Sequence, residues 1–310
     1  AIYSYMDYIK SEKEYQESEK FNKDKEYWER RFEKIPEVAT IPGSVKENIA
    51  TINTRAKRKQ YELNETEVKR IKQYCKDNKI SLYNFFMAIY SIYIGEISNL
   101  DEFVIGTPIL NRTNFKEKNA AGMFINMAPL KINIDEKIDF KTFVKGIAKD
   151  SMDMLKHQKY SYQYLLEELR KKDNNIPNLY NILLSYQITN AHQNADDVQY
   201  ETEWTFNGCC AENIDIQIFD LNDTGKLNIS YDYKSSIYHT KDIEKIHERI
   251  LNIINKIIKK EEINISEIQV VTEEERKELL EEFNNTELEY NKNIPIIKYF
   301  EEQVEKTPNI

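Results

Sequence analysis

Cysteine, histidine and glycine are all scarce in this sequence. There are 3 cysteines (Cys75, Cys209 and Cys210) among 310 residues. An odd count without regular spacing argues against a disulfide framework and for a reducing compartment, so a cytoplasmic protein is expected. The adjacent pair 209–210 is not a CxxC, and no His lies near it at zinc-ligand spacing, so no metal site is expected. The 7 glycines form no phosphate-cradling loop of Walker or Rossmann type, and no G-x-S-x-G elbow occurs. Long apolar runs are missing too. The longest, Ile80 to Ile97, is interrupted by Ser81, Asn84, Ser91, Gly95 and Glu96 and reads as a buried helix, not a membrane span. No secretion-signal pattern is present. Basic runs interleaved with aromatics are absent, and a net charge of −9 with a pI near 5.3 opposes nucleic-acid binding.

What is abundant is Ile, Lys, Asn, Glu and Tyr, a usage common in low-GC bacteria. Residues 1–34 read as helical, with Ile35-Pro36 ending the run. Residues 36–55 hold Pro36, Pro42 and Gly43 and read as a connector. An edge strand is expected over 56–63. Asn64 with Glu67 makes a capping box before a helix to about Asn78. A second helix, about 82–97, is apolar nearly all round and should be buried. Asp101 to Leu110 reads as a strand, Asn111 to Asn119 as a polar loop. Asp139 caps a helix ending near His157-Gln158, and Ser161 to Leu169 is a short helix. Leu179 to Ile188 is a strand with Leu183, Ser185 and Gln187 on one side and Ile182, Leu184 and Tyr186 on the other. Residues 189–201 read as polar loop. Asn222-Asp223-Thr224-Gly225 joins a hairpin of 214–221 and 226–233. Thr240 to Lys260 is a long amphipathic helix, Thr272 with Glu275 a second capping box, and 284–310 a polar linker with one more short helix. Mixed strands and helices without regular βαβ alternation indicate an α/β (α+β) fold, one large unit plus a tail.

The most informative run is Ala121 to Lys131. Met123, Ile125 and Met127 alternate with Phe124, Asn126 and Ala128, as in a strand starting at Gly122. A buried amide must be hydrogen-bonded, so Asn126 either braces a neighbouring loop or faces a wet channel. We expect one face of this strand to line a tunnel.

Candidate chemistry is sparse. His192 and Asp196 have the spacing of an acyltransferase base and its orienting carboxylate, but lie in a polar run. His157 reads as a helix C-terminal cap or as a group beside a channel. His247 reads as surface or satisfied core, and His239 as a loop residue before the Thr240 cap. Arg112 reads as half of an ion pair or as a channel contact. Tyr186 and Gln187 have polar tips that either face a ligand or find one buried partner.

Taken together, these runs resemble the condensation domain of nonribosomal peptide synthetases. Tyr5-Met6-Asp7-Tyr8 resembles the family's Tyr-x-Asp motif, and Tyr27-Trp28, Phe32 and Pro36-Glu37 resemble the family's residues downstream of it. Gly106-Thr107-Pro108 with Asn111-Arg112 is similar to Gly-x-Pro…Asn-Arg. The 121–131 run resembles Ile-Gly-x-Phe-Val-Asn-Thr-Leu-Pro-Leu-Arg, with Met127-Ala128 in place of Thr-Leu. His157-Gln158 resembles the His-Gln motif, although Ser161-Tyr162-Gln163 replaces Pro-Phe-Glu. Pro177 to Tyr180 and Ser185-Tyr186-Gln187 resemble Pro-Leu-Phe-Asp…Ser-Tyr-Gln, with Asn178 inserted and Asn181 for Asp. Thr272 to Glu275 and Phe283 to Thr286 look like the linker to an adenylation domain. Phe300 to Val304 with Thr307-Pro308 looks like that domain's start.

The resemblance implies a chloramphenicol-acetyltransferase-like fold of two lobes around a tunnel, of which this chain is mainly the C-terminal lobe. It implies 1–50 as the end of the N-terminal lobe and connector, 51–268 as the C-terminal lobe, and 269–310 as linker and start of an adenylation domain. It implies peptide-bond formation between thioesters on the phosphopantetheine arms of partner carrier domains, with no cofactor bound directly. Gly122, Phe124, Asn126, His157, Ser185, Tyr186 and Gln187 become candidate tunnel residues on the acceptor side. Tyr5, Asp7, Asn111 and Arg112 become structural motif residues. The family's active-site run, His-His-x-x-x-Asp-Gly, precedes its Tyr-x-Asp motif, so no catalytic residue is expected here. The chain begins at Ala1 inside a helical pattern and is expected to be a segment of something longer, inactive by itself. A non-catalytic carrier-docking module and a free-standing acyltransferase using His192 and Asp196 are the alternatives. An epimerisation or cyclisation relative is a further one within the family.

Overall fold

A computed structural model describes residues 3–45, 53–176, 178–189, 192–195, 198–201, 204–221, 224–260, 262–285 and 295–308, with only the backbone course for 189, 192–195 and 198–201. The chain divides into two compact units, Ala1–Val270 and Val271–Ile310.

The first unit is built on a six-stranded mixed sheet. Its strands are β1 (Ala56–Leu63), β2 (Glu102–Ile109), β3 (Asn126–Asn133), β4 (Ile182–Thr189), β7 (Ile214–Leu221) and β8 (Lys226–Lys234), in the order β1-β8-β7-β4-β2-β3. The β2–β4 and β4–β7 pairs are parallel and the others antiparallel. Residues 192–195 (β5) and 198–201 (β6) pair as a separate two-stranded ribbon. That corrects the polar loop expected there: backbone pairing, not apolar alternation, defines this ribbon, so periodicity gave no signal.

Helices cover one sheet face. Asn64 caps α3 (Glu65–Asp77), accepting from Glu67 N–H while the Glu67 carboxylate accepts from Asn64 N–H. The apolar α4 (Leu82–Ser98) is buried from Phe85 to Gly95. It packs on α6 (Phe140–Lys156) and α8 (Thr240–Lys259). Leu184, Ile216 and Tyr231 are register neighbours on the covered face. Tyr231 Oη lies 2.8 Å from Tyr90 Oη on α4 and 3.2 Å from His247 Nδ1 on α8. His247 also stacks on Tyr61. It is a satisfied core histidine, and burial lowers its pKa from 6.5 to about 4. His239, not Thr240, sits at the α8 N-cap, where its N–H donates to Asp242 (2.8 Å).

The N-terminal segment is two helices, not one. Ser18 breaks the run, ending α1 (Tyr5–Gln16) and capping α2 (Glu19–Arg31) through its hydroxyl. The described start of the connector packs on the unit: Ile41 is buried and its carbonyl accepts from Tyr238 Oη (2.9 Å). One turn of helix, α5 (Phe115–Lys118), interrupts the expected 111–119 loop. The helix expected over 161–169 runs further, as α7 (Tyr162–Lys172).

In the second unit the Thr272–Glu275 capping box opens α9 (Glu273–Lys277), and a last helix, α10, spans Ile296–Lys306. Among the described residues, no single helix is long and apolar enough to cross a membrane.

Candidate functional site

The start of β3 and the loop before it form the densest group of sequence-predicted residues. The strand begins at Asn126, not Gly122. Ala120, Gly122 and Met123 instead give their carbonyls to side chains. Arg112 donates to the Glu117 and Ala120 carbonyls (the latter at 2.8 Å) and to that of Gly122 (3.0 Å). Its guanidinium carbon lies 3.9 Å from the Phe124 ring centre. Arg112 therefore holds backbone and an aromatic face, not the carboxylate of the expected ion pair. Tyr5 on α1 donates to the Met123 carbonyl (2.7 Å) and meets Phe124 edge-on. Gly122 has φ +150°, and a Cβ there would stand 2.2 Å from the Tyr5 ring, so only glycine admits this approach. Asn111, before Arg112, has φ 52° and is buried. Asp7 is exposed and lines a cavity of about 330 Å³ with Tyr3, Tyr8, Asn114, Glu117 and Phe124.

Burial pushes the Glu117 carboxyl up, but hydrogen bonds from Lys159 and Thr113 outweigh it and hold the group below the usual carboxylate range. Lys159 Nζ is 2.7 Å away and Thr113 N 2.6 Å. Lys159 follows His157-Gln158, so this loop is tied to the turn after α6. Asn126 is tied to the same turn, with Nδ2 donating to the Gln158 carbonyl (3.1 Å). His157 Nδ1 lies 2.6 Å from Asp24 Oδ1, and its ring stacks on Tyr27 at 3.9 Å.

Strand register separates the remaining candidates. Gly106 faces both Pro129 and Leu183, so Met127, Pro129, Leu183, Ser185 and Gln187 share the sheet face turned away from α4, where Tyr180, in ring contact with Tyr162 of α7, covers Gly106. Phe124 is buried, whereas Met123, Ile125 and Met127 are exposed. Asn126 pairs with Ile109 and turns the other way. It is placed as a brace toward the helix layer, not beside Ser185. Tyr186 follows the second of its two readings, one hydrogen-bond partner: its hydroxyl donates to Asp220 Oδ2 (2.8 Å) on the helix side, and its ring stacks near Phe86. Pro129 lies inside β3, which tolerates it as an edge strand.

The face turned away from α4 carries polar side chains on four strands. Asp232 accepts two bonds from Arg58 (2.6 and 2.8 Å) and one from Gln217 (2.7 Å). Asp215 stands opposite Asp232; burial, then the Asp232 charge, push it up to about 6. The buried Ser185 and Ser230 hydroxyls have no partner among the described residues. Water or a polar ligand is the ordinary way to satisfy such groups.

His192 is placed only by its backbone, in β5, and Asp196 lies outside the described residues, as do Pro177, Asn222 and Asp223. Among the described residues, no three His, Cys, Asp or Glu side chains cluster as a metal site. Asp24, Glu117 and Lys159 escape sequence reasoning: each sits in a charge-rich run that looks solvated. Gly106 and Tyr180 are close neighbours as well, with the Tyr180 ring 2.4 Å from where a Gly106 Cβ would be.

The model of the condensation-domain family matches residues 1–280. The chain is 33% identical over 303 residues to surfactin synthase subunit 1 of Bacillus subtilis (strain 168), covering 98% of this chain and 8% of that protein. It is 32% identical to one of the plipastatin synthase proteins of the same organism, covering 98% and 12%. The chain thus spans about a tenth of these relatives' length. In fold it is similar to the starter condensation domain of rhizomide synthetase in complex with C8-CoA, with TM-score 0.74, 18% identity, and 86% and 59% of the two chains covered. It is also similar to a four-domain nonribosomal peptide synthetase bound to AMP and glycine, with TM-score 0.76, 17% identity, and 95% and 23% covered.

Proposed function

The chain belongs to the condensation-domain family, and from that membership we propose that it forms the C-terminal part of a condensation domain in a nonribosomal peptide synthetase. There it joins two carrier-bound acyl groups through an amide bond. The acceptor's amine nitrogen attacks the donor's thioester carbonyl; a C–N bond forms, the C–S bond breaks, and the proton lost by nitrogen ends on the departing thiol. Holding two reactants in line supplies much of such a rate.

The observation that carries the reading is convergence. Tyr5, Arg112, Gly122 and Phe124, the motif residues of three distant segments, meet in one contact group. In this reading 1–50 closes the N-terminal lobe and connector, 51–268 is the C-terminal lobe, and 269–310 leads to an adenylation domain. The tunnel wall is assigned to the sheet face turned away from α4, with Met127, Pro129, Ser185 and Gln187. Leu110, Ile125 and Met127, exposed by 71%, 51% and 38%, suit a contact with the other lobe. The 310 residues hold no His-His-x-x-x-Asp-Gly run. Proton transfer is therefore assigned to a residue outside them, and phosphopantetheine to the partner carrier domains. The cytoplasm is the proposed location.

The test uses the intact synthetase polypeptide with separately loaded donor and acceptor carriers. Mass spectrometry should find the condensed product on the acceptor. Carrier binding without product would favour a docking module. Loss of product on His192→Ala would favour the acyltransferase using that residue.

A further inference from the structure

Asp24 is the most deeply buried acid among the described residues, with 0% of its surface exposed. A buried carboxylate is costly unless it is paired and hydrogen-bonded, and Asp24 is met from three directions. Tyr15, near the end of α1, donates to Oδ2 (2.8 Å). Lys20 on α2 and His157 after α6 both reach Oδ1, the latter at 2.6 Å. Tyr27 stacks on the His157 ring, so its orientation is fixed.

The His157 side of this group is the C-terminus of α6, where helix carbonyls lack intrahelical partners. Donors from other elements supply them. Lys20 Nζ donates to the Lys156 carbonyl (3.1 Å), Trp28 Nε1 to that of His157 (3.2 Å), and Asn126 Nδ2 to that of Gln158 (3.1 Å). Lys159 then reaches Glu117 in the loop before β3. One turn thus carries α2 on one side and the start of β3 on the other.

We infer that Asp24 is a positioning residue: by clasping Lys20 and His157 it sets the 156–159 turn, and through that turn it sets Asn126, β3 and the 113–122 loop. The inference rests on the proposal that the opposite side of β3 forms part of the tunnel wall. Asp24 touches no substrate in this account. Its effect passes through His157, the Gln158 carbonyl and Asn126 to the strand whose exposed side carries Met127, next to the exposed Ile125.

The test uses the intact synthetase polypeptide with Asp24→Asn, Asn126→Ala and the double variant. Asp24→Asn keeps the shape but exchanges one acceptor for a donor aimed at other donors. Amide hydrogen exchange over 126–133 should quicken about tenfold, the effect of losing one hydrogen bond to a charged group. The kcat for condensation should fall by a similar factor, with KM for the loaded carriers unchanged. The double variant should be no slower than the slower single variant, because both act through one turn. Unchanged exchange over 126–133 in Asp24→Asn would overturn the inference, and so would multiplying losses in the double variant. If Asp24→Asn does not fold, Tyr15→Phe removes one donor only and carries the same exchange test. If exchange responds as expected but the unaltered protein makes no condensed product, the Asp24 linkage stands and the proposed function falls.

Discussion

Replacing Gly122 by alanine tests the contact group at β3 directly. The new Cβ would lie 2.2 Å from the Tyr5 ring, at a backbone φ of +150°. The backbone strain alone is about 1–3 kcal/mol. The ring must also move. That releases the Tyr5–Met123 hydrogen bond, worth about 1 kcal/mol, and ring contacts with Phe124 and Tyr8 worth about 0.5–1.5 kcal/mol each. α1 buries no residue of its own, so these ties are comparable to what holds its first turns in place. Its far end is held separately, by Tyr15–Asp24 and Gln16–Tyr164. The expected result is local: amide exchange over 5–11 quickens by about 10- to 100-fold, each factor of ten being about 1.4 kcal/mol. Residues from 15 onward keep their protection, and the urea midpoint barely moves. Adding Tyr5→Ala removes the clash but not the φ strain, so protection does not return. Unchanged exchange over 5–11 in Gly122→Ala would refute the reasoning.

Gly106→Ala sets a Cβ 2.4 Å from the buried Tyr180 ring; overpacking of about 1–3 kcal/mol should lower Tm by about 3–10 °C, and Tyr180→Leu should restore part of it. Arg112→Lys keeps the charge but not the fork that spans three carbonyls. Limited proteolysis should then cut within 112–122 about tenfold faster, the effect of losing roughly 1–2 kcal/mol of hydrogen bonding. Two buried groups should oppose each other in acid. His247 falls from 6.5 to about 4 in the folded state, so the unfolded chain binds the proton first. Stability on its account is full above pH 6.5 and drops by about 3 kcal/mol on acidification to pH 4. Asp215 rises from 3.8 to about 6, so its folded form holds the proton and stability on its account drops as pH rises from 3.8 to 6. In urea unfolding, Asp215→Asn should therefore steepen the loss of stability on acidification and stabilise the protein above pH 6. His247→Phe should reverse the slope over the same range.

Where local chemistry decides an element, the sequence is easily read. The Asn64–Glu67 capping box, the all-round apolar α4 and the β7–β8 hairpin are each set by residues within a few positions of one another. The β3 start is different. Gly122 to Ile125 alternates like a strand, yet Arg112 and Tyr5, distant in sequence, take the carbonyls a ladder would need. The same long-range pull turns Asn126 toward Gln158 and leaves Ile125 and Met127 exposed. The alternation marked two faces correctly but not which one is covered. Tyr186 likewise shows its face in the pattern, while its partner Asp220 does not. Asp24 left no trace at all: at i, i+4 from Lys20 it looks like a surface pair. Only the arrival of His157 from α6 makes it a buried centre.

The most direct test of the central claim compares two polypeptides under identical conditions. One is the 310-residue chain alone; the other is the longer synthetase polypeptide proposed to contain it. Each receives donor and acceptor carrier proteins loaded with aminoacyl thioesters, and the amide product on the acceptor is measured. The account predicts product from the longer polypeptide and none from the 310-residue chain. Condensation by the 310 residues alone would contradict it.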